Sequence, residues 1–443
     1  MQRMKGQQTF PLDFRWGTAS SSHQVEGNNC NNQWSRYEQQ PGAIAQGHRS
    51  GIACNWWENA EADFDRMAAL GLNSHRLSLE WSRIEPRPGE IDRSALQRYR
   101  AILEALHQRA IEPWVALHHF TNPLWLEDAG GWENPQVVER FTAYAKTVVE
   151  HLGDLCQHWL TINEPMIYLG QGWLAGAWPP HRTNPLLAIR VYRHLLYAHA
   201  GAFHAIHHAS PTAQVSIAKV MRYFDPARAH HSGDQIAARL RRYLFEELWF
   251  AATLYGRLLP PLGIGQVDST LAKTLDFIGI NYYARYQVTF SPNPTRFFGK
   301  EGYTLGRELS DASSRGPYSQ FDPDGLELIC RRVQGYGKPI YITENGLPDA
   351  DDDQRPRWLL AHLAAVQRAI NAGCDIRGYF HWTFLDNFEW NDGWTMHFGL
   401  IGMDPTTQIR SPRPSAALYG QVSRANQLPS ELLERYGITS SGE

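Results

Sequence analysis

The stretch HWLTINEPM, at residues 158–166, decides how the rest of this sequence is interpreted. Its core-facing positions are apolar, as in a parallel strand covered on both faces: Trp159, Leu160 and Ile162. The strand then ends on Asn163 and Glu164, and Pro165 follows. Because proline has no N–H to donate to a neighbouring strand, we predict that sheet pairing ends there. Proline also disfavours helical angles in the residue before it, so we expect an extended Glu164 at the edge of a sheet.

Seven further short runs of β-forming residues recur along the chain, and most are continuously apolar. They begin near residues 14, 75, 112, 213, 275, 338 and 376. Between them, segments such as 95–106 and 137–152 carry apolar residues at the spacing of one helix face. Eight strand–helix units predict an α/β fold, a single (β/α)8 TIM barrel with elaborated βα loops over residues 1–443. A doubly wound open sheet is the main alternative, but the first strand lacks the G-x-G-x-x-G turn that binds a dinucleotide.

Composition excludes several classes of function. The net charge is −3, which gives no reason to expect nucleic acid or an anionic membrane as a partner. No run reaches the roughly 18 apolar residues of a membrane span, and the N-terminus lacks the apolar core of a signal peptide, so we expect a cytoplasmic protein. Five scattered cysteines show neither metal-ligand spacing nor a disulfide framework, so we expect no metal and no cofactor.

Polar residues concentrate where the predicted strands end. In a (β/α)8 barrel these carboxyl ends form the functional face. A second glutamate, Glu344 in IYITENG, ends another apolar strand just as Glu164 does. Two such carboxyls predict glycosidase chemistry, in which one carboxylic acid protonates the leaving oxygen and the other carboxylate acts as nucleophile or base. The structural alternative is that each glutamate caps the next helix or pairs with Arg76.

Three motifs together resemble glycoside hydrolase family 1, the β-glucosidase family: TINEP at 161–165, ITENG at 342–346 and LDNFEW at 385–390. The resemblance begins with FRWGTASSSHQVEG at 14–27, continues through RLSLEWSRIEP at 76–86 and ends with HFGLIGMD at 397–404. It implies a retaining, exo-acting β-glycosidase that removes the terminal non-reducing sugar by double displacement. The implied substrates are small β-glycosides or oligosaccharides, β-glucosides first, with β-galactosides and β-fucosides as side activities.

The same resemblance implies roles for individual residues. Glu164 would be the acid/base and Glu344 the nucleophile, with the two carboxyls roughly 5 Å apart. Tyr283 and Arg76 would contact Glu344 and keep it ionised, and its charge would raise the pKa of Glu164. The residues implied to bind the substrate are Gln24, His119, Asn163, Tyr283, Trp382, Glu389 and Trp390. The supporting residues implied are Arg76, Asn281 and Phe398. In relatives the peptide after the tryptophan at 382 is cis, so we expect a cis Trp382–Thr383 bond.

The sequence departs from the family pattern at one sugar-contacting position. It has His119-Phe120-Thr121 where many relatives have His-Trp-Asp. Phe120 has no indole N–H, so the sequence does not show which group would hydrogen-bond the sugar 3-OH. The serine and lysine that grip phosphate in 6-phospho-glycosidases are absent from NDGWTMHFG at 391–399, so we expect poor activity on 6-phospho sugars.

Other functions and features stay open at this stage. An endo-acting β-glycanase on a related barrel would use the same two glutamates, and a non-catalytic sugar-binding module would share the fold. The loop residues Trp125, Trp173 and Trp178 could contact an aglycone or simply pack. The segment from Phe290 to Tyr318 is predicted to be an insertion over the barrel mouth. The sequence gives no prediction of the oligomeric state.

Overall fold

The computed structural model describes residues 9–293, 297–304, 307–313 and 316–438. Its centre is a sheet of eight parallel strands: β1 (Arg15–Ala19), β2 (Ser74–Ser78), β3 (Glu112–His118), β4 (His158–Asn163), β5 (Gln214–Pro226), β6 (Ile278–Phe290), β7 (Ile340–Asn345) and β8 (Ile376–Trp382). Neighbours in the sheet are neighbours in the chain, and β8 pairs with β1, which closes the barrel. The predicted (β/α)8 fold is therefore confirmed.

Helices surround the barrel, and each of them lies between two strands or follows the last one. Those of eight residues or more are Trp56–Ala69, Arg93–His107, Val137–Leu152, Pro185–Ala209, Ser232–Arg242, Leu248–Tyr255, Pro323–Val333, Arg355–Asn371 and Pro414–Ala425. The shorter ones are Ser22–Val25, Gln33–Tyr37, Trp81–Ile84, Leu124–Asp128, Pro165–Leu169 and Ser430–Arg435. Both helices predicted from apolar spacing are confirmed. Within the described ranges, no helix is long and apolar enough to cross a lipid bilayer.

Two apolar layers explain why the barrel strands are apolar on both faces. Inside the barrel, Trp114, Leu160, Phe277 and Phe380 pack against one another with 0–1% of their surface exposed. A larger layer fills the space between the strands and the helices, and it includes Trp159 and Ile162 of β4. The adjacent residues Trp159 and Leu160 of β4 therefore enter different cores, as expected for a strand covered on both sides. Polar side chains buried within the strands, such as His75 and Thr161, have hydrogen-bond partners there.

Strands β5 and β6 are longer than their apolar runs predict. Their pairing continues from Ala218–Gly279 to Pro226–Val288. The outer part of this pair, residues 222–226 and 284–290, is called the ribbon below. The short strand Gly299–Gly302 adds to the ribbon antiparallel to β6. Sequence periodicity missed the extension because most of the ribbon's residues are half-buried or exposed and are polar or aromatic, unlike those of the barrel; Ala284 and Val288 are buried.

The insertion predicted over residues 290–318 is described in part. Residues 294–296, 305–306 and 314–315 of that prediction lie outside the described residues. Its final residues, Pro317 and Tyr318, line the cavity at the mouth of the barrel. The barrel mouth is thus bordered on this side by the ribbon and by the end of the insertion.

Candidate active site

The two glutamates are placed by irregular pairing at the ends of β4 and β7. The register of β4 against β5 shifts between Leu160 and Asn163. The register of β7 against β6 shifts between Ile342 and Glu344. Such irregularities turn a side chain away from the regular alternation of a strand and are frequent beside active sites. The side chains of Glu164 and Glu344 consequently point out of the barrel interior and line the same cavity.

Glu164 does not have the extended backbone expected from its position before proline. Its φ is 45° and its ψ is 57°, the left-handed region that is unfavourable for a residue with a side chain. Its N–H still donates to the Ala218 carbonyl at 2.7 Å, and Pro165 then begins the helix Pro165–Leu169. The expectation was wrong because the chain must turn within one residue from the strand into that helix. The Glu164 side chain makes no capping hydrogen bond, which removes the helix-capping alternative.

Glu344 is held at both of its oxygens. The hydroxyl of Tyr283, on β6, donates to Oε2 at 2.6 Å. The guanidinium of Arg76, on β2, forms an ion pair with Oε1, and Arg76 is fully buried. The ion pair between Arg76 and Glu344, which would have given Glu344 a purely structural role, is therefore present. It does not remove Glu344 from the cavity, because Glu344 still lines it.

Asn163 and Asn281 connect the two glutamates. Asn163 Oδ1 accepts from Arg76 Nη1 at 3.1 Å and from Asn281 Nδ2 at 3.2 Å. Asn281 Nδ2 also donates to Glu164 Oε1 at 2.9 Å. The hydrogen bonds thus run without a gap from Glu344 through Arg76 and both amides to Glu164. This arrangement fixes the relative orientation of the two carboxyl groups.

The electrostatic environment of Glu164 favours its neutral form. Burial raises the pKa of this carboxyl, and the negative charge of Glu344 raises it further, to about 8. The Asn281 hydrogen bond and the charges of Arg76 and Arg222 act in the opposite direction but are weaker. Glu164 is therefore protonated at neutral pH and can donate a proton, while Glu344 keeps two partners that suit a carboxylate.

A cavity of about 290 Å³ opens above these groups. The predicted residues that line it are His119, Asn163, Glu164, Tyr283, Glu344, Trp382, Glu389 and Trp390. The His119 imidazole lies 5.8 Å from the Trp382 ring and 6.1 Å from the Trp390 ring, centroid to centroid. Its burial lowers the pKa of His119 well below the ordinary value, so the imidazole is neutral. Flat apolar rings and hydrogen-bonding groups thus face the same space, as a pyranose requires.

Gln24 lies in the helix Ser22–Val25, which follows β1, and it reaches the site through Glu389. Its Nε2 donates to Glu389 Oε2 at 3.0 Å and to Asn387 Oδ1 at 2.9 Å. Burial and the charge of Asp392 raise the pKa of Glu389 well above its ordinary value. Gln24 does not itself line the cavity; Glu389 does. Gln24 and Glu389, both predicted to bind the substrate, are therefore in contact. Glu389 faces the cavity, and Gln24 lies behind it.

Phe398 packs behind the cavity wall, as expected for a supporting residue. Its ring centroid lies 5.0 Å from that of Tyr318 and 6.3 Å from that of Tyr283. The predicted cis bond between Trp382 and Thr383 is present. Gly346 is required nearby, since a Cβ there would come within 1.9 Å of the Trp382 carbonyl oxygen.

Several cavity residues were not identified from the sequence. They include Ile167, Gln171, Arg222, Tyr286, Tyr318 and Asp392. Arg222 directly follows the predicted fifth strand, so its position at a strand end could have indicated it. Tyr318 lies in the insertion and carries no such signal. Of the three loop tryptophans left open, Trp178 lines the cavity, whereas Trp125 and Trp173 donate to Glu85 and Glu133 outside it.

Among the described residues, one group of carboxylates has oxygen atoms close enough together for a metal ion: Asp349, Asp351 and Asp353. It lies in the loop after β7, and two of its members are exposed. None of the three lines the cavity that holds the two glutamates.

Sequence comparison identifies the family. The profile of glycosyl hydrolase family 1 matches residues 6–428. The chain belongs to glycosyl hydrolase family 1. It is 29% identical to β-glucosidase A of Thermotoga maritima, over 95% of this chain and 98% of that protein. It is 30% identical to a β-galactosidase of Sulfolobus acidocaldarius, over 96% of this chain and 97% of that protein.

Solved structures of family 1 enzymes agree with this assignment. A β-glycosidase from Pyrococcus horikoshii superimposes with a TM-score of 0.90 at 37% identity, over 98% of this chain and 99% of that one. The β-glucosidase of Thermotoga maritima in complex with glucoimidazole gives a TM-score of 0.88 at 29% identity, over 95% and 100%. This chain is accordingly an O-glycosyl hydrolase of the β-glucosidase type, with the family's (β/α)8 barrel.

Proposed function

We propose that this enzyme hydrolyses the terminal non-reducing sugar of small β-D-glucosides with retention of configuration, using Glu344 as nucleophile and Glu164 as acid/base. One observation carries the proposal. Two buried carboxyls share a cavity in opposite environments: Glu164 has a pKa raised to about 8, and Glu344 is held by Arg76 and Tyr283. A retaining glycosidase requires one carboxylic acid and one carboxylate at the same glycosidic bond.

In the first step, Glu344 attacks the anomeric carbon while the Glu164 proton passes to the leaving oxygen. The carbon–oxygen bond to the aglycone breaks, and an ester between the sugar and Glu344 forms. Tyr283 and Arg76 keep the attacking carboxylate oriented. The Asn163 amide, fixed by Arg76 and Asn281, is positioned to hydrogen-bond the sugar 2-OH, a contact that strengthens in the transition state.

In the second step, Glu164 acts as a base. Once Glu344 is esterified its negative charge is gone, so the pKa of Glu164 falls towards the value that burial alone would give. The ionised Glu164 takes a proton from water, and the resulting hydroxide displaces Glu344 from the sugar. Two inversions at the anomeric carbon give net retention.

The cavity lining supports removal of a single terminal sugar. Glu389, backed by Gln24, closes one side with a group that can accept and donate hydrogen bonds to neighbouring hydroxyls. Trp382 offers an apolar face, and His119 a neutral imidazole. Glucose is the first choice of sugar because relatives named β-glucosidase match over nearly the whole chain, and a β-galactosidase relative supports galactosides as a side activity.

An endo-acting enzyme would need an open groove across the barrel mouth. The cavity here is bordered by Trp178, Tyr318 and Trp390, which favours an exo-acting enzyme.

We also propose that residues 1–443 form one glycosidase domain, supported by the family match over 6–428. All five cysteines are free thiols, which fits a reducing compartment, and we propose the cytoplasm.

Azide rescue tests the assignment of the two glutamates. With an aryl β-glucoside, Glu344→Gly should lose at least about 10⁴-fold in kcat, and azide should restore turnover by forming the α-glucosyl azide. Glu164→Ala should instead yield the β-glucosyl azide. Glu308→Gly removes an exposed carboxylate and serves as the control, with full activity and no response to azide. The opposite anomers, or an active Glu344→Gly without azide, would contradict the proposal.

A further inference from the structure

The loop after β7 carries the acidic run DADDD, at residues 349–353, which takes no part in the chemistry of the two glutamates. It connects β7 to the helix Arg355–Asn371. One carboxylate oxygen from each of Asp349, Asp351 and Asp353 lies within 4.8 Å of the other two. Because Ca²⁺ binds carboxylate oxygens at about 2.3–2.6 Å, oxygens up to about 4.8 Å apart can contact the same ion. The spacing of these three carboxylates therefore fits a single cation.

The buried carboxylate of Asp349 independently points to a ligand. Asp349 is 0% exposed. Its Oδ2 accepts hydrogen bonds from the backbone N–H groups of Gln354 at 3.0 Å and Arg355 at 2.7 Å. Its Oδ1 is also buried and has no hydrogen-bond partner among the described residues. A buried carboxylate oxygen without a partner costs free energy, and a cation shared with Asp351 and Asp353 would remove that cost.

The two arginines whose charges act on this loop, Arg355 and Arg413, are already paired. The Arg355 guanidinium is fully buried and forms an ion pair with Asp352. The Arg413 guanidinium forms an ion pair with Asp386 at 2.8 Å. Neither arginine therefore offsets the mutual repulsion of the three clustered carboxylates.

We propose that Asp349, Asp351 and Asp353 bind one hard divalent cation, Ca²⁺ in preference to Mg²⁺, which fixes the loop after β7. All three ligands are oxygens, which hard cations prefer. Asp351 and Asp353 are exposed, so water can complete the roughly six to eight oxygen ligands of Ca²⁺. Mg²⁺ requires near-ideal octahedral geometry and gives up its water reluctantly, which suits three carboxylates of one short loop less well.

The ion would stabilise the fold and leave the chemical steps unchanged. None of its three ligands lines the cavity that holds the two glutamates. The same loop also holds the insertion, because the Ala350 N–H donates to Asp311 Oδ2 at 3.0 Å. The adjacent Ser310 Oγ accepts a hydrogen bond from the N–H of Tyr318 at 3.1 Å. We therefore expect the ion to slow thermal inactivation, with kcat at 25 °C unchanged.

The test is the melting temperature of the full chain after treatment with EDTA, measured with millimolar CaCl₂, with millimolar MgCl₂ and with NaCl at equal ionic strength. Ca²⁺ should raise the melting temperature by roughly 2–4 °C over NaCl, and Mg²⁺ should raise it by less. Isothermal titration of the same protein with CaCl₂ should give one site per chain.

Asp351→Asn combined with Asp353→Asn removes the two exposed ligands and should abolish both the shift and the binding. In EDTA this double variant should melt no lower than the wild type, because two carboxylates that repel each other are gone. Glu139→Gln combined with Glu150→Gln is the matched control. It removes two exposed carboxylates from the helix Val137–Leu152, so the shift with Ca²⁺ should remain.

Equal melting temperatures in CaCl₂ and NaCl would overturn the proposal, because the acidic loop would then be solvated without a bound ion. A shift that persists in the double variant of Asp351 and Asp353 would overturn it as well, since the ion would bind elsewhere. A larger shift with Mg²⁺ than with Ca²⁺ would overturn the preference for Ca²⁺. None of these outcomes affects the glycosidase assignment, which azide rescue tests separately.

Discussion

The amide of Asn281 donates a hydrogen bond of 2.9 Å to the carboxyl of Glu164. The same residue faces Glu344 in the pairing of β6 with β7, and its Oδ1 accepts a hydrogen bond from Thr343 at 2.7 Å. Asn281 therefore contacts one glutamate through its side chain and lies opposite the other in the sheet. The spacing of the two carboxyls is set by the barrel itself, and not by a mobile loop. Four properties of the two glutamates and of the cavity around them can be measured.

The first concerns pH. Glu164 must be protonated to act as the acid, and its pKa is raised to about 8, so kcat/KM should fall as the pH rises through about 8. An alkyl β-glucoside assayed from pH 5 to 10 should show this basic limb. The 2,4-dinitrophenyl glucoside is the control, because its leaving group needs little protonation and should show a much weaker limb. A limb near pH 6 for the alkyl glucoside would mean that Glu164 is not held in its neutral form.

The second concerns the coupling between the carboxyls. Removing the negative charge in Glu344→Gln should lower the pKa of Glu164 from about 8, although burial should keep it above its ordinary value. Carbon-13 NMR titration of glutamate side chains measures this directly, and Glu164→Gln assigns the resonance. An unchanged titration of Glu164 would show that Glu344 does not contribute to its environment.

The third concerns the hydroxyl of Tyr283. Tyr283→Phe keeps the ring against Phe398 but removes the hydrogen bond to Glu344, and hydrogen bonds to charged groups are worth about 1.5–3 kcal/mol. We expect kcat to fall by roughly 10- to 100-fold with a melting temperature within about 2 °C of the wild type. Tyr286→Phe, in the wall of the same cavity, should change kcat by less than about threefold. Equal losses in both variants would indicate a general effect of removing a hydroxyl.

The fourth concerns phosphorylated sugars. Besides the two glutamates, the cavity is lined by Glu389 and Asp392, and Arg222 is its one lining cation among the described residues. A phosphate dianion would be repelled by the carboxylates of Glu344 and Asp392, and like-charge contacts cost several kcal/mol. We expect kcat/KM for 4-nitrophenyl 6-phospho-β-glucoside to be at least about a hundredfold below that of its parent glucoside. Comparable rates on the two substrates would disprove this prediction.

Much of the site could be predicted from the sequence because catalytic groups end otherwise apolar strands. Glu164 and Glu344 interrupt runs that must be apolar on both faces, so each stands out without any structure. Sequence patterns could not predict that Glu164 would adopt a left-handed backbone, since that depends on how β4 meets the helix after it. They also missed the ribbon that begins at Arg222, because its mostly polar and aromatic residues show no apolar periodicity.

The sequence by itself determined the barrel, its order of strands and the two carboxyls, since apolar runs and the residues that end them are local properties. Only the tertiary structure decided how those carboxyls differ. Burial and the negative charge of Glu344 raise the pKa of Glu164, while Arg76 and Tyr283 reach Glu344 from two other strands. Electrostatic interactions depend on distance in space and on exclusion of water, and neither can be read from positions 76, 164, 283 and 344 along the chain.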